Sequence, residues 1–333
     1  MMYALSDRAS SLNLKKSFNA IMPCSVRSGT NASMKFIKDS WGVFNGYFYG
    51  KHDVSFVDDP IDQKSGDKVL RVFYEKGSFS PAATRRQEGD VSGGTEFYVR
   101  PFNDSSFKRG LISYDVAFDG GFDWVKGGKL PGLYGGEPTS GCTGGKQSDG
   151  SRCFSVRMMW RSDGYGEAYA YLPPVDDVIC KNTKVKCNEE YGISLARGAI
   201  DFAKKSWTRI EIYTEMNDPG QNNGELHVWQ DGRTVIDLKG MVFRNQNSFA
   251  ISSILFSTFF GGASEEYATP SNTYTFFKNI QFSVADKEEL DPIMSTSTVL
   301  SHPSFSTLWL FTLMTAILVT PLTCQLSGFI FKY

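Results

Sequence analysis

From Cys153 to Leu172 the chain alternates with a period of two on both sides of a short turn, a pattern that predicts an antiparallel β-hairpin. Before the turn, Phe154, Val156, Met158 and Trp160 share one face, and Ser155, Arg157, Met159 and Arg161 share the other. The turn, 162–166, reads Ser-Asp-Gly-Tyr-Gly. After it, Ala168, Ala170 and Leu172 alternate with Glu167, Tyr169 and Tyr171. The apolar face predicts the core side. The polar face is either a solvated outer surface or the lining of a groove. A fold about Gly164 places Arg157 opposite Tyr171, Met159 opposite Tyr169 and Arg161 opposite Glu167, with opposed Cβ atoms roughly 5 Å apart.

Strand-like segments recur through the chain at 69–75, 95–100, 110–118, 153–161, 167–172, 208–215, 225–230, 234–238, 252–260 and 274–284. Asp231-Gly232 is a strong hairpin signal between two of them. Helical periodicity is scarce and no solenoid repeat is present. Many even-length antiparallel strands predict a two-sheet sandwich or jelly roll. Residues 34–285 read as one such domain, behind a polar, poorly structured lead at 1–33.

The formal net charge is −1, which argues against the broad basic field of a nucleic-acid binder, though a local basic site remains possible. The cysteines include two short-range pairs, Cys142/Cys153 and Cys180/Cys187, each bracketing a polar loop. These predict two loop-closing disulfides and an oxidising compartment, the alternative being buried free thiols. No C-x-x-C is present and His52, His227 and His302 are scattered, so no zinc spacing exists and no metal or other cofactor is expected. Sequons at Asn31 and Asn103 agree with a secretory route, although the N-terminus lacks a clean apolar signal core.

Residues 286–307 form a Ser/Thr-rich linker, and 308–333 form an apolar tail without a charge until Lys332. Its length fits a membrane-spanning helix, and small residues, a polar spacer and a terminal apolar run also fit a GPI signal. The expectation is a monomeric extracellular or cell-surface protein held to the membrane through its C-terminus.

The run 124–136 (Trp-Val-Lys-Gly-Gly-Lys-Leu-Pro-Gly-Leu-Tyr-Gly-Gly) reads as a shaped loop that carries Lys126 and Lys129. A plain surface loop with solvated lysines is the alternative. With the polar hairpin face it supplies cations beside tyrosines, a combination suited to β-elimination from a uronate polymer. A cation against the carboxylate stabilises the enediolate-like state formed when C5 loses its proton. Arginine offers a bidentate fork and lysine a point charge. A tyrosine beside cations has its phenolate favoured and can act as base, and a second can protonate the leaving oxygen. A glycosidase carboxylate pair is not evident: Glu265 and Glu266 are adjacent, and adjacent strand residues face opposite ways. His227 reads as an ordinary strand histidine, and Arg85-Arg86 as solvated.

Six segments resemble polysaccharide lyase family 14: 74–81 (YEKGSFSP), 93–98 (GGTEFY), 127–136 (GGKLPGLYGG), 153–161 (CFSVRMMWR), 168–173 (AYAYLP) and 256–262 (FSTFFGG). The resemblance implies a groove lysine at Lys129, a strand serine and arginine at Ser155 and Arg157, and the family's two tyrosines at Tyr169 and Tyr171. None of the five is substituted. It also implies action on alginate or glucuronate-rich polymers. Lys129, Arg157, Tyr169 and Tyr171 are therefore the expected catalytic residues, with Ser155, Arg161 and Lys126 expected to bind substrate. The fold class expected is all-β, a concanavalin-like jelly-roll sandwich with a C-terminal hydrophobic helix. A non-catalytic carbohydrate-binding module on the same fold is the competing reading.

Overall fold

In a computed structural model of the chain, residues 7–27, 31–84, 91–103, 106–174, 180–181, 183–188 and 190–291 are described. The strands are β1 (Lys16–Asn19), β2 (Val43–Tyr49), β3 (Val54–Asp58), β4 (Lys68–Tyr74), β5 (Thr95–Val99), β6 (Phe107–Phe118), β7 (Gly128–Gly136) and β8 (Cys153–Trp160). They continue as β9 (Tyr165–Tyr171), β10 (Val185–Lys186), β11 (Ile193–Asp201), β12 (Thr208–Glu215), β13 (Gly224–Gln230), β14 (Arg233–Met241), β15 (Ile251–Phe260) and β16 (Thr273–Lys287). Helices are short: α1 (Asp7–Ser11), α2 (Ala32–Ser40) and α3 (Pro81–Thr84).

The strands form a two-sheet antiparallel sandwich. The front sheet runs β10-β11-β9-β8-β7-β15-β5-β2. The back sheet runs β14-β13-β12-β6-β16, and β16 then pairs with β4 along its first half and with β1 near its end; β3 lies outside β4. The sheets touch edge to edge where Ile251 of β15 pairs with Phe107 of β6. The core fills the space between them. Leu130, Val156, Met158, Ala168 and Phe256 face inward from the front, and Ile112, Val116, Ile212 and Phe277 from the back. Phe256 and Phe277 meet edge to face at 5.1 Å.

Every strand-like segment read from the sequence is a strand. The run 124–136 differs: its greater part is not a loop but β7, a fully buried central strand between β8 and β15. Its glycines are there for close approach. A Cβ at Gly128 would enter the Trp160 ring, and one at Gly132 would strike the Val156 carbonyl. Pro131 is accommodated at a bulge, where the register with β8 slips between Leu130 and Gly132. The lead also differs. Residues 7–27 carry α1 and β1, and β1 is paired with β16. The C-terminal helix falls on residues outside those described, as do Arg85-Arg86 and the linker beyond Asp291; among the described residues no helix is long and apolar enough to cross a membrane.

Buried polar contacts tie the two sheets through the core: the Tyr114 hydroxyl of β6 donates to the Pro131 carbonyl of β7 at 3.0 Å, and a second set centres on Tyr74. The hydroxyl of Tyr74 on β4 meets Thr258 of β15 and, at 2.7 Å, Thr275 of β16. Burial pushes this phenol far above its ordinary value, so it stays protonated. Tyr74→Phe strands two buried threonine hydroxyls. It is expected to cost about 1–3 kcal/mol and to lower the melting temperature by roughly 2–4 °C per kcal/mol. Differential scanning calorimetry would check this, and an unchanged Tm would contradict it.

Candidate active site

The outer face of the front sheet gathers Lys129 from β7, Ser155 and Arg157 from β8, and Tyr169 and Tyr171 from β9. The hairpin register differs from the expected one by two residues. Ser155 lies opposite Tyr171, Arg157 opposite Tyr169, and Met159 opposite Glu167. The turn pivots on Asp163, at φ 63°, rather than Gly164, and Arg161 N–H donates to Tyr165 O to close it. Because the slip is even, the five residues keep their common face.

This face is not solvated. Ser155 is 0%, Arg157 1% and Tyr171 2% exposed, while Lys129 and Tyr169 keep 7% and 8%. The remaining exposure therefore sits at Lys129 and Tyr169. Against Ser155 and Tyr171 lies the segment 137–152, stapled to the start of β8 by the Cys142–Cys153 disulfide. Ser155 Oγ donates to the Cys142 carbonyl at 2.6 Å, and Gly145 N–H donates to the Tyr171 hydroxyl at 2.9 Å. Tyr134 Oη, from β7, reaches the carbonyls of Glu137 and Gly141 at 3.1 and 3.3 Å. The second expected pair, Cys180–Cys187, is also bonded.

Lys129 Nζ lies 4.1 Å from the centroid of the Tyr169 ring and 3.1 Å from Met159 Sδ. Burial, then the charges of Arg157 and Arg161, hold its ammonium well below the ordinary 10.5. Arg157 Nη1 donates to Ser257 Oγ at 3.0 Å and lies 3.6 Å from Glu96 Oε2. Its Nε is buried without a partner among the described residues. The Tyr169 hydroxyl accepts the Gly192 N–H at 2.9 Å. Burial pushes Tyr169 far above its ordinary value, against the opposing pull of Arg157 and that N–H, so the free protein holds it as a neutral phenol.

Arg161 and Lys126 have other settings. Arg161 lies just past β8 and pairs with the fully buried Glu167. Lys126 is half exposed and pairs with Glu266 at 2.5 Å, at the surface rather than in the buried cluster. Glu96, Tyr98 and Ser257 were not singled out from the sequence. Alternation could have found them: in the β5–β15 register Glu96 faces Ser257 and Tyr98 faces Leu255, leaving Phe97 and Phe256 to the core. His227 sits on β13 between Glu225 (2.8 Å) and Asp237 (3.2 Å), in keeping with a strand histidine. Among the described residues no His, Cys, Asp and Glu group is placed to hold a metal. Asn31 and Asn103 are both exposed.

A sandwich carrying lysine, arginine and two tyrosines on one covered face defines a polysaccharide lyase. The family model of polysaccharide lyase 14 matches residues 62–280, and the chain belongs to that family. It is similar to the marine PL-14 alginate lyase from Aplysia kurodai, with 33% identity, 82% of this chain and 99% of that one covered, and a TM-score of 0.67. Alginate lyase vAL-1 from Chlorella virus shares the fold at 24% identity and TM-score 0.59, covering 78% of this chain and 99% of that one. Alginate lyase Aly36B shares it at 19% identity and TM-score 0.60, covering 82% and 98%; a variant of that enzyme is known in complex with alginate tetrasaccharide. No curated protein matches the chain. Membership of an enzyme family sets the binding-module reading aside.

The depressed Lys129 gives a measurable consequence. Its ammonium is lost as pH rises through the depressed value, and a carboxylate placed against it would restore the charge. At a pH between the depressed value of the free protein and the restored value of the complex, binding of a carboxylate ligand should take up protons. Titration calorimetry in buffers of different ionisation enthalpy would show this, and Lys129→Met should abolish it. Equal heats in all buffers for the unsubstituted protein would contradict it.

Proposed function

We propose that the chain cleaves a uronate-containing polymer, of alginate or glucuronan type, by β-elimination without a metal. The observation that carries this reading is the meeting of Lys129, Arg157 and Tyr169 on one covered face, with the Lys129 ammonium 4.1 Å from the Tyr169 ring centroid. The relatives bear the name alginate lyase, and alginate is a polymer of uronates.

In this scheme the substrate carboxylate lies against Lys129 and the unpartnered Nε of Arg157. Binding regenerates the lysine's charge and answers the orphaned donor together. The enediolate-like state carries more charge on that carboxylate, and a preorganised pair of cations in a dry site favours it over the ground state. Tyr169, neutral in the free protein, is suited to give its proton to the departing 4-oxygen. The base that takes the C5 proton is then Tyr171, whose oxygen accepts the Gly145 N–H. Ser155 acts on the covering loop, through the Cys142 carbonyl, as well as on the floor beneath the sugar. Two disulfides among the described residues and the exposed sequon asparagines support a secreted protein, and the apolar composition of 308–331 supports membrane attachment through that segment.

The test follows ultraviolet absorbance of the unsaturated uronate product on alginate, glucuronan and a neutral glucan. Absorbance should rise on a uronate polymer alone. Tyr169→Phe with Tyr171→Phe should abolish it; activity surviving in that double variant would overturn the site. A uronide with fluoride at C4 separates the roles. Fluoride leaves without protonation, so it should rescue Tyr169→Phe and not Tyr171→Phe.

A further inference from the structure

Glu167 is fully buried on the outer face of the front sheet, and the elimination scheme gives it no task. A buried carboxylate is tolerated only when paired. This one is paired twice: with Arg161 at Oε1, and with Arg197 Nε at Oε2, 2.7 Å away. Ser194 Oγ donates to Oε2 at 2.6 Å. The arginines come from different places. Arg161 follows β8, whereas Arg197 stands in a bulge of β11, where the register with β9 slips between Leu195 and Ile200. Ala196 and Gly198, its neighbours, both have positive φ, 52° and 85°. A non-glycine residue held there is backbone strain of the kind that concentrates at functional sites.

Two guanidiniums facing one carboxylate leave a unit of positive charge. Each guanidinium has five N–H donors, and Glu167 uses few of them. Arg161 Nε is buried without a partner among the described residues, and the Arg197 side chain is 42% exposed. The pair also continues a row. Lys129 lies opposite Met159, Arg157 stands two residues before Met159 and Arg161 two residues after it. Such steps are about 6.6 Å along a strand.

We propose that Arg161 and Arg197, held in place by Glu167, form a second carboxylate subsite that grips the uronate adjoining the one being cleaved. This rests on the reading of the substrate as a uronate polymer. A chain with consecutive uronates engages both subsites, whereas a single uronate engages only the pocket at Lys129 and Arg157. Arg197 is here a specificity residue and takes no part in proton transfer.

The experiment titrates the full chain carrying Tyr169→Phe and Tyr171→Phe, which binds without cleaving, with alginate tetrasaccharide and with a single uronate, followed by calorimetry and NMR respectively, and measures turnover of polymer in the chain with both tyrosines intact. Arg197→Gln should weaken the tetrasaccharide about tenfold, the loss of one charge-assisted contact, and leave the single uronate unchanged. KM for polymer should rise by a similar factor with kcat near that of the unsubstituted enzyme. Arg197→Lys keeps a charge for Glu167 without the fork, guards against misfolding of the first variant, and should fall between. Tetrasaccharide affinity and KM unchanged in both variants would overturn the subsite while leaving the lyase reading intact. Tetrasaccharide binding that depends on Arg197 in a protein that cleaves no uronate polymer would leave the subsite standing and overturn the lyase reading. Equal weakening of both ligands would overturn the subsite by showing general damage.

Discussion

Charge buried on a sheet face is the constraint from which this site follows. The outer face of the front sheet holds Lys129, Arg157, Glu96 and Glu167 with little exposure. Ionised groups in such a place carry a large desolvation cost, offset only by partners with good geometry. Glu96 is met by Arg157 and Ser257, and Glu167 by Arg161, Arg197 and Ser194. Each pairing crosses between strands, so it holds only in one register. The same contacts that make the face chemically able thereby define how β5, β15, β8, β9 and β11 align.

Backbone groups complete that arrangement. Both tyrosine hydroxyls accept an N–H from a glycine, Gly145 for Tyr171 and Gly192 for Tyr169. Gly192 packs so tightly that a Cβ there would press on the Tyr169 ring, at 2.7 Å from Cε1. The Cys142–Cys153 bond brings the Gly145 segment over the sheet by linking it to the first residue of β8. Covalent closure restrains the loop in the unfolded chain as well as the folded one. The cover is therefore part of the site: it meets the Tyr171 hydroxyl, while Gly192 holds that of Tyr169.

The hairpin and its faces were legible because a period of two assigns sides without knowing partners. Its register was not, because parity is insensitive to a slip of two and the turn's pivot depended on Asp163 joining Gly164 in the left-handed region. The stretch 124–136 misled for a related reason. Glycine and proline usually mark turns, yet in β7 Gly128 and Gly132 make room for Trp160 and the Val156 carbonyl. Their need arises from long-range packing, which local pattern does not carry. Lys129, Ser155, Arg157, Tyr169 and Tyr171 were legible as residues on one side. That Glu96 and Ser257 join it depends on β5 and β15, about 30 to 130 positions away in the chain, a matter of topology rather than alternation.

Near-zero net charge and a polyanion site are compatible because the field is local. Among the described residues around the covered face, Lys129, Arg157, Arg161 and Arg197 are met by Glu96 and Glu167, and burial reduces the screening of the charges at Arg157 and Arg161. The charge on Lys129 is disfavoured in the free protein, first by burial and then by Arg157 and Arg161. An incoming carboxylate relieves this repulsion and gives the Arg157 Nε a partner. A neutral sugar in the same position would do neither, leaving a buried donor without a partner among the described residues and the charge on the lysine still disfavoured. Discrimination of this kind comes from groups the wrong ligand leaves unsatisfied, which is a stronger filter than the fit of an apolar pocket. The unpaired atoms of the free site are thus the physical basis of its preference for an acidic chain.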